Sequence, residues 1–159
     1  SLQADIRVHN AVISACRRST KWAEALACFE DVPDKDRTEV TATTLLGCLG
    51  DAGLWQDVLH RFSLIRSDSA ANVDPYMCNT VLQAFKNSGK WQWCLWLLTE
   101  MSHSISSNSL ASKSRPASLP PPDTLSFNTV IGSAAELGRW QLAFGLLKVM
   151  ASQRERPNV

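Results

Sequence analysis

Residues 79–101, NTVLQAFKNSGKWQWCLWLLTEM, decide how this chain is read, because residues 128–150, NTVIGSAAELGRWQLAFGLLKVM, repeat them in the same register. Two looser copies lie upstream: NAVISACRRSTKWAEALACFEDV at 10–32 and TTLLGCLGDAGLWQDVLHRFSLI at 43–65. Each copy opens on a small polar residue (Asn10, Thr43, Asn79, Asn128). Each carries a tryptophan twelve residues later (Trp22, Trp55, Trp91, Trp140). A spacing held four times marks a repeat architecture.

Within each copy the apolar residues recur with a helical period. Val12, Ile13 and Cys16 form one face, and Trp22, Ala25, Leu26 and Phe29 another. The later copies follow suit, with Leu45, Leu46 and Leu49 before Trp55, Val58, Leu59 and Phe62, and so on. Ser19-Thr20, Gly53, Gly89 and Gly138 separate the two helices of each copy, glycine being suited to a left-handed helix end. The first helix of the first copy is expected from His9, and all seven prolines fall outside the eight expected helices. Such hairpins have more apolar surface than each can bury alone, so they stack. The expectation is an all-α fold, an α-solenoid of about four stacked helix-turn-helix repeats forming a single segment over 1–159. The repeats are placed at about 6–38, 39–74, 75–123 and 124–158. Residues 102–122, rich in serine and ending in three prolines, are expected to be a flexible insertion. The chain is expected to be a piece of a longer array.

Composition excludes several classes. Apolar content is 45%, in the globular range, and the formal net charge of +1 gives no bulk attraction to nucleic acid or membrane. No apolar run approaches the roughly 20 residues that span a bilayer, so no membrane role is expected. The five cysteines (Cys16, Cys28, Cys48, Cys78, Cys94) include no CxxC pair and read as buried free thiols of a reducing compartment. His9, His60 and His103 stand near no defensible catalytic constellation, and no phosphate-cradling glycine loop is present. Neither an enzyme, nor a metal, nor a cofactor is expected. Trp93 and Trp96 occupy positions that are mostly polar in the earlier copies, which points to a protein-partner patch or to cover by the insertion.

The spacing, the helix pair and the phrases CNTVLQAF and FNTVIGSA resemble the pentatricopeptide repeat family. Val73-Asp74 stands just upstream of Asn79, Pro122-Asp123 just upstream of Asn128, and Pro157-Asn158-Val159 looks like the same phrase starting again. Phe127-Asn128-Thr129-Val130-Ile131 matches the family's run well, whereas Ala42 and Cys78 replace its usual aromatic. The resemblance covers nearly the whole chain from Asp5. The related tetratricopeptide repeat, a protein-binding scaffold, is the alternative; its tryptophan belongs early in the first helix, not at the start of the second.

The resemblance implies a right-handed superhelix that binds single-stranded RNA, one base per repeat, in organellar RNA processing, stability, editing or translation. It implies that the polar residue opening the first helix and the last residue of the repeat read the base. The pairs are Asn10 with Thr38, Thr43 with Asp74, Asn79 with Asp123, and Asn128 with Asn158. The family's preferences then give a core 5′-pyrimidine-G-U-pyrimidine-3′. Arg7, Val40, Tyr76 and Leu125 are implied to wedge between bases. Arg17, Lys21, Lys86, Lys90 and Arg139 are candidate phosphate contacts, with an ordinary solvated role as the competing reading. The competing reading of the asparagines is capping of the helix start. The implied location is a mitochondrion or plastid; the sequence shows no targeting segment. The HxE and CxxC elements of a zinc deaminase are absent from these residues.

Overall fold

A helix needs its first amides satisfied, and three polar side chains supply this before the later first helices. The computed structural model describes residues 5–33, 36–68, 72–106 and 119–154. Among these residues lie eight α-helices and no strand: α1 (Ile6–Arg18), α2 (Trp22–Glu30), α3 (Glu39–Asp51), α4 (Trp55–Ser67), α5 (Pro75–Asn87), α6 (Trp91–Ser106), α7 (Thr124–Glu136) and α8 (Trp140–Arg154). Thr38, Asp74 and Asp123 each accept a hydrogen bond from the amide three residues on, at 3.3, 2.7 and 2.7 Å. Asp5 holds the same position before α1 without such a side-chain bond. The helices they open, α1, α3, α5 and α7, are all 13 residues long.

This capping corrects two expectations. α1 begins at Ile6, not His9, because the Val8 and His9 amides already donate to the Asp5 carbonyl at 2.8 and 3.3 Å. Pro75 is not outside a helix but the first residue of α5, a position whose amide has no intrahelical acceptor to lose.

The turn inside each hairpin is equally uniform. Gly53, Gly89 and Gly138 are left-handed, with φ of 77°, 66° and 69°, and Thr20 takes the same conformation at 56°. Four matching backbone bonds close the turns. Lys21, Leu54, Lys90 and Arg139 donate back to Cys16, Leu49, Phe85 and Ala134 at 2.8–2.9 Å. This is the 6→1 bond of a helix end closed by a left-handed residue. In the first hairpin a β-branched residue accepts a backbone that glycine adopts without strain.

The first helices form one layer, α1 on α3, α3 on α5, α5 on α7. α2, α4 and α6 each pack on their own first helix and on the first helix of the next repeat, and α8 packs on α7. The core runs through this layer: Ile13, Leu45, Leu49, Val81, Leu82 and Phe85 are all at most 1% exposed. Each such side chain contributes roughly 1.5–3 kcal/mol by leaving water. At the α3–α5 contact a Cβ on Gly50 would lie 2.5 Å from that of Ala84, an approach only glycine permits. The flanking junctions carry ion pairs in matching register instead: Arg17–Asp51 at 2.6 Å and Lys86–Glu136 at 3.1 Å.

Other differences from the sequence reading have local causes. α6 runs on to Ser106, so the expected insertion begins inside a helix. Leu119, near the insertion's other end, is buried in the core, its apolar side chain anchoring the approach to α7. Residues 107–118 lie outside the described residues. Of the repeat tryptophans, Trp55 packs against the core as expected, whereas Trp140 is 69% and Trp22 41% exposed. Trp55 and Trp91, which are half-buried, are covered from the next repeat: Lys90 lies 5.0 Å over the Trp55 ring and Arg139 4.2 Å over that of Trp91. Trp93 is half-buried against Trp55, Phe85 and Trp96, with ring centres 6.2, 6.3 and 5.7 Å away. The cover seen on this pair is therefore aromatic. Cys48, Cys78 and Cys94 are buried free thiols, and Cys16 and Cys28 are half-buried. Burial pushes the Cys78 thiol up to about 12 and that of Cys94 to about 11. No helix among the described residues is long and apolar enough to cross a membrane.

Candidate nucleic-acid interface

Since every first helix starts one residue after its cap, Asn10, Thr43, Asn79 and Asn128 are each the fifth residue of a 13-residue helix. None of them caps a helix, so the competing reading of the asparagines is overturned. The caps are the residues one turn and more upstream. Asn158, the expected partner of Asn128, lies outside the described residues; Asn128 itself is exposed.

The third repeat holds the most complete arrangement. Asn79 Nδ2 donates to both carboxylate oxygens of Asp123, at 3.1 and 3.3 Å. Ser126 Oγ lies 2.8 Å from Asn79 Oδ1. Asp123 therefore does two jobs at once, capping α7 and holding the side chain of the preceding repeat. Partial burial alone would push its carboxyl up. Hydrogen bonds from N–H donors, the Ser126 amide first and then the Asn79 and Leu125 amides, oppose this and hold it below the usual carboxylate range.

The first two repeats are built differently. Asn10 Oδ1 is buried with no hydrogen-bond partner among the described residues. Thr38, its expected partner, caps α3 and lies 3.0 Å from the Thr41 hydroxyl. Thr43 is 3% exposed and turns its hydroxyl back onto the Glu39 carbonyl at 2.7 Å. Asp74 is engaged with the Met77 amide. No bond between Thr43 and Asp74 is among those described.

Arg7, Val40, Tyr76 and Leu125 are the second residues of the four first helices and all are exposed. Val40, Tyr76 and Leu125 are 63%, 66% and 57% exposed, a row of solvated apolar side chains. Tyr76, Asn79 and Leu125 line one cavity of about 210 Å³ together with Arg17, Asp51 and Thr129. A larger cavity, about 740 Å³, lies beside α2, α3 and α4 and touches Thr38 but no other expected reader. Its Arg61 stands over the Phe29 ring and pairs with Glu30 at 3.8 Å.

The five candidate phosphate cations are already engaged. Arg17 and Lys86 are in the ion pairs given above, Lys21 is 3.7 Å from Glu24, and Lys90 and Arg139 lie on tryptophan rings. Ser126 is the site residue that sequence reasoning missed. Its signal was the Asp-x-x-Ser spacing of a capping box, which the structure realises in full.

An array of stacked hairpins, with a small polar residue at the fifth position of each first helix and a mostly apolar, exposed row at the second, defines a helical-repeat solenoid. The family model described as PPR repeat matches residues 7–36, 76–104 and 125–154, more than half of the chain. The chain belongs to the pentatricopeptide repeat family, whose members are RNA-binding repeat proteins and generally not enzymes. The second hairpin, α3 and α4, falls between these matches although its two helices have the family's plan. Among solved structures, the chain is similar to the crystal structure of the pentatricopeptide repeat protein PPR10 from maize, with a TM-score of 0.67 at 24% identity. That alignment covers 99% of this chain and 20% of the maize chain, so the present chain spans about a fifth of its length. No curated protein matches the chain.

Proposed function

We propose that this chain binds single-stranded RNA without catalysis, one base per repeat, reading the core 5′-pyrimidine-G-U-pyrimidine-3′. The observation that carries this is the third repeat, where Asn79, fixed by Asp123, lies in a cavity bounded by Tyr76 and Leu125. An amide offers a donor and an acceptor, so one side chain addresses a base's Watson–Crick edge. The exposed Tyr76 and Leu125 would hold the base by its faces; an aromatic platform is worth about 1–3 kcal/mol per base. One base per helical repeat is an established mode of RNA recognition.

On this reading Asn10 with Thr38, Thr43 with Asp74, Asn79 with Asp123 and Asn128 with Asn158 address successive bases, wedged by Arg7, Val40, Tyr76 and Leu125. Phosphates fall to Arg17, Lys21, Lys86, Lys90 and Arg139. Each already has a partner, so it meets phosphate by sharing, and the salt dependence is expected to be shallow for an RNA binder. The place of action, by kinship, is a mitochondrion or plastid, in RNA processing or protection.

Replacing Thr43 by Asn tests the register. Beside Asp74 it recreates the pair of the third repeat, so competition binding should show the second base shifting from G to U. An unchanged preference would sink the pairing.

A further inference from the structure

The Asn79 amide can be placed two ways round, and the structure says what decides between them. The Asp123 carboxyl is held below its usual range, so at neutral pH it has no proton to give. Only the NH₂ end of Asn79 can face it. The carbonyl end then faces Ser126, whose Oγ is 2.8 Å away. Ser126 is 0% and Asn79 8% exposed, so water is not a ready substitute. The hydroxyl has one hydrogen and two acceptors in reach, Asn79 Oδ1 at 2.8 Å and Asp123 Oδ1 at 2.9 Å. The carboxylate already receives the Ser126 amide and the Asn79 NH₂. Asn79 Oδ1 has no other described donor. The hydrogen therefore belongs to Asn79, since a buried carbonyl left unpaired is the costlier outcome.

We propose that Ser126 is a positioning residue for base choice: its hydroxyl, donating to Asn79 Oδ1, locks the amide in one orientation and thereby sets uracil against cytosine at the third repeat. This rests on the RNA-binding reading above. Uracil presents a donor at N3 and an acceptor at O4; cytosine presents an acceptor at N3 and a donor at the 4-amino group. A locked amide shows the base one donor–acceptor order, and a turned amide shows the reverse. Fixing the amide thus separates the two pyrimidines, which differ little in size or stacking.

The other repeats supply an internal comparison. The residue in the Ser126 register opposite Asn10 is Thr41, which is 0% exposed and has its hydroxyl 3.0 Å from that of Thr38. Asn10 Oδ1 is left without a described partner. Opposite Thr43 the register holds Met77, which has no hydroxyl. Base choice by an asparagine reader is therefore set by three residues: the reader, the cap of the next helix and the third residue of that helix.

The test uses the full chain and its Ser126→Ala, Ser126→Cys and Ser126→Thr variants. Two quantities are read: the U-over-C preference at the third base, by competition binding, and hydrogen exchange of the Asn79 side-chain NH₂ in the free protein, by NMR. Ser126→Ala is expected to lower the U-over-C preference about fivefold, the weight of one hydrogen bond. It should leave the preferences at the other three bases unchanged and speed exchange of the Asn79 NH₂. Ser126→Thr, which keeps the hydroxyl, should retain the preference. A folded Ser126→Ala with an unchanged third-base preference overturns the proposal. If Ser126→Ala does not fold, the Cys variant, with its weaker donor, takes its place under the same criterion. If the parent chain binds no RNA, the RNA-binding reading falls separately, and unchanged Asn79 exchange in the variants then overturns the positioning role as well.

Discussion

Asn10 and Asn79 are the same residue at the same helical position, yet their surroundings differ. Asn79 meets a carboxylate and a buried hydroxyl from the start of the next repeat. The helix after Asn10 is capped by Thr38, which carries no charge, and the Asn10 carbonyl oxygen has no partner among the described residues. On the proposed reading, what a repeat discriminates is set by the opening residues of its successor, not by the reader alone. The reader position of the third repeat is held by hydrogen bonds on both ends of its amide, whereas that of the first is not.

The largest test of that contrast removes the charge from the third site. Asp123→Asn keeps a good N-cap, so α7 should lose only a few tenths of a kcal/mol. The Asn79 NH₂ loses its acceptor-only partner, and an Asn–Asn pair moves the third base from uracil toward cytosine. Competition binding with U and C at that position should show the change, and a melting curve within two or three degrees of the parent should show that it is not a folding effect. Asp123→Ala removes cap and partner together and should cost about 1 kcal/mol as well.

The converse experiment builds the third site into the first. Thr38→Asp preserves the cap of α3 and offers Asn10 a carboxylate. A U preference at the first base, several-fold above the parent's, is expected. A first base still read loosely would show that the carboxylate is not what separates the two sites.

Acid should weaken only one of the two. Asp123 is depressed in the folded chain, so its contribution is complete above the ordinary carboxylate value of about 4 and is lost as the pH falls through the lower folded value. Lowering the pH into that range should erase third-base preference while the first base, which has no carboxylate partner, is unaffected. Fluorescence competition at stepped pH reads both.

The smallest effect concerns the cations. Lys90→Ala removes the charge over the Trp55 ring and should cost about 0.5–1 kcal/mol of stability. The salt dependence of RNA binding should change by less than the slope of about 0.7 that a full phosphate contact on a single strand carries.

The repeat plan was legible in the sequence because it rests on spacing: the tryptophan register, the turn glycines and the helical period all depend on residues close in the chain. The family resemblance and the all-α solenoid followed from the same residues. The first-helix starts were misplaced in one instance, because Asp5 was read as lead-in and not as a cap. The double role of Asp123 was half legible. Its distance upstream of Asn128 was plain, but its contact with Asn79 spans 44 residues and crosses the insertion. Ser126 was invisible as a site residue, since its bond to Asn79 exists only once α5 and α7 are side by side. The partners of the cations were hidden for the same reason: Lys90 reaches Trp55, and Lys86 reaches Glu136, across repeat boundaries.

The central claim is that successive repeats read successive bases. Fluorescence anisotropy of the chain with short single-stranded oligonucleotides tests it most directly. The panel holds the pyrimidine-G-U-pyrimidine RNA, the same RNA with G and U exchanged, and the matched DNA, each at two salt concentrations. Tighter binding to the core RNA than to the exchanged one is expected at both salts. Equal binding to all three, vanishing as salt rises, would contradict it and leave only a weakly basic surface.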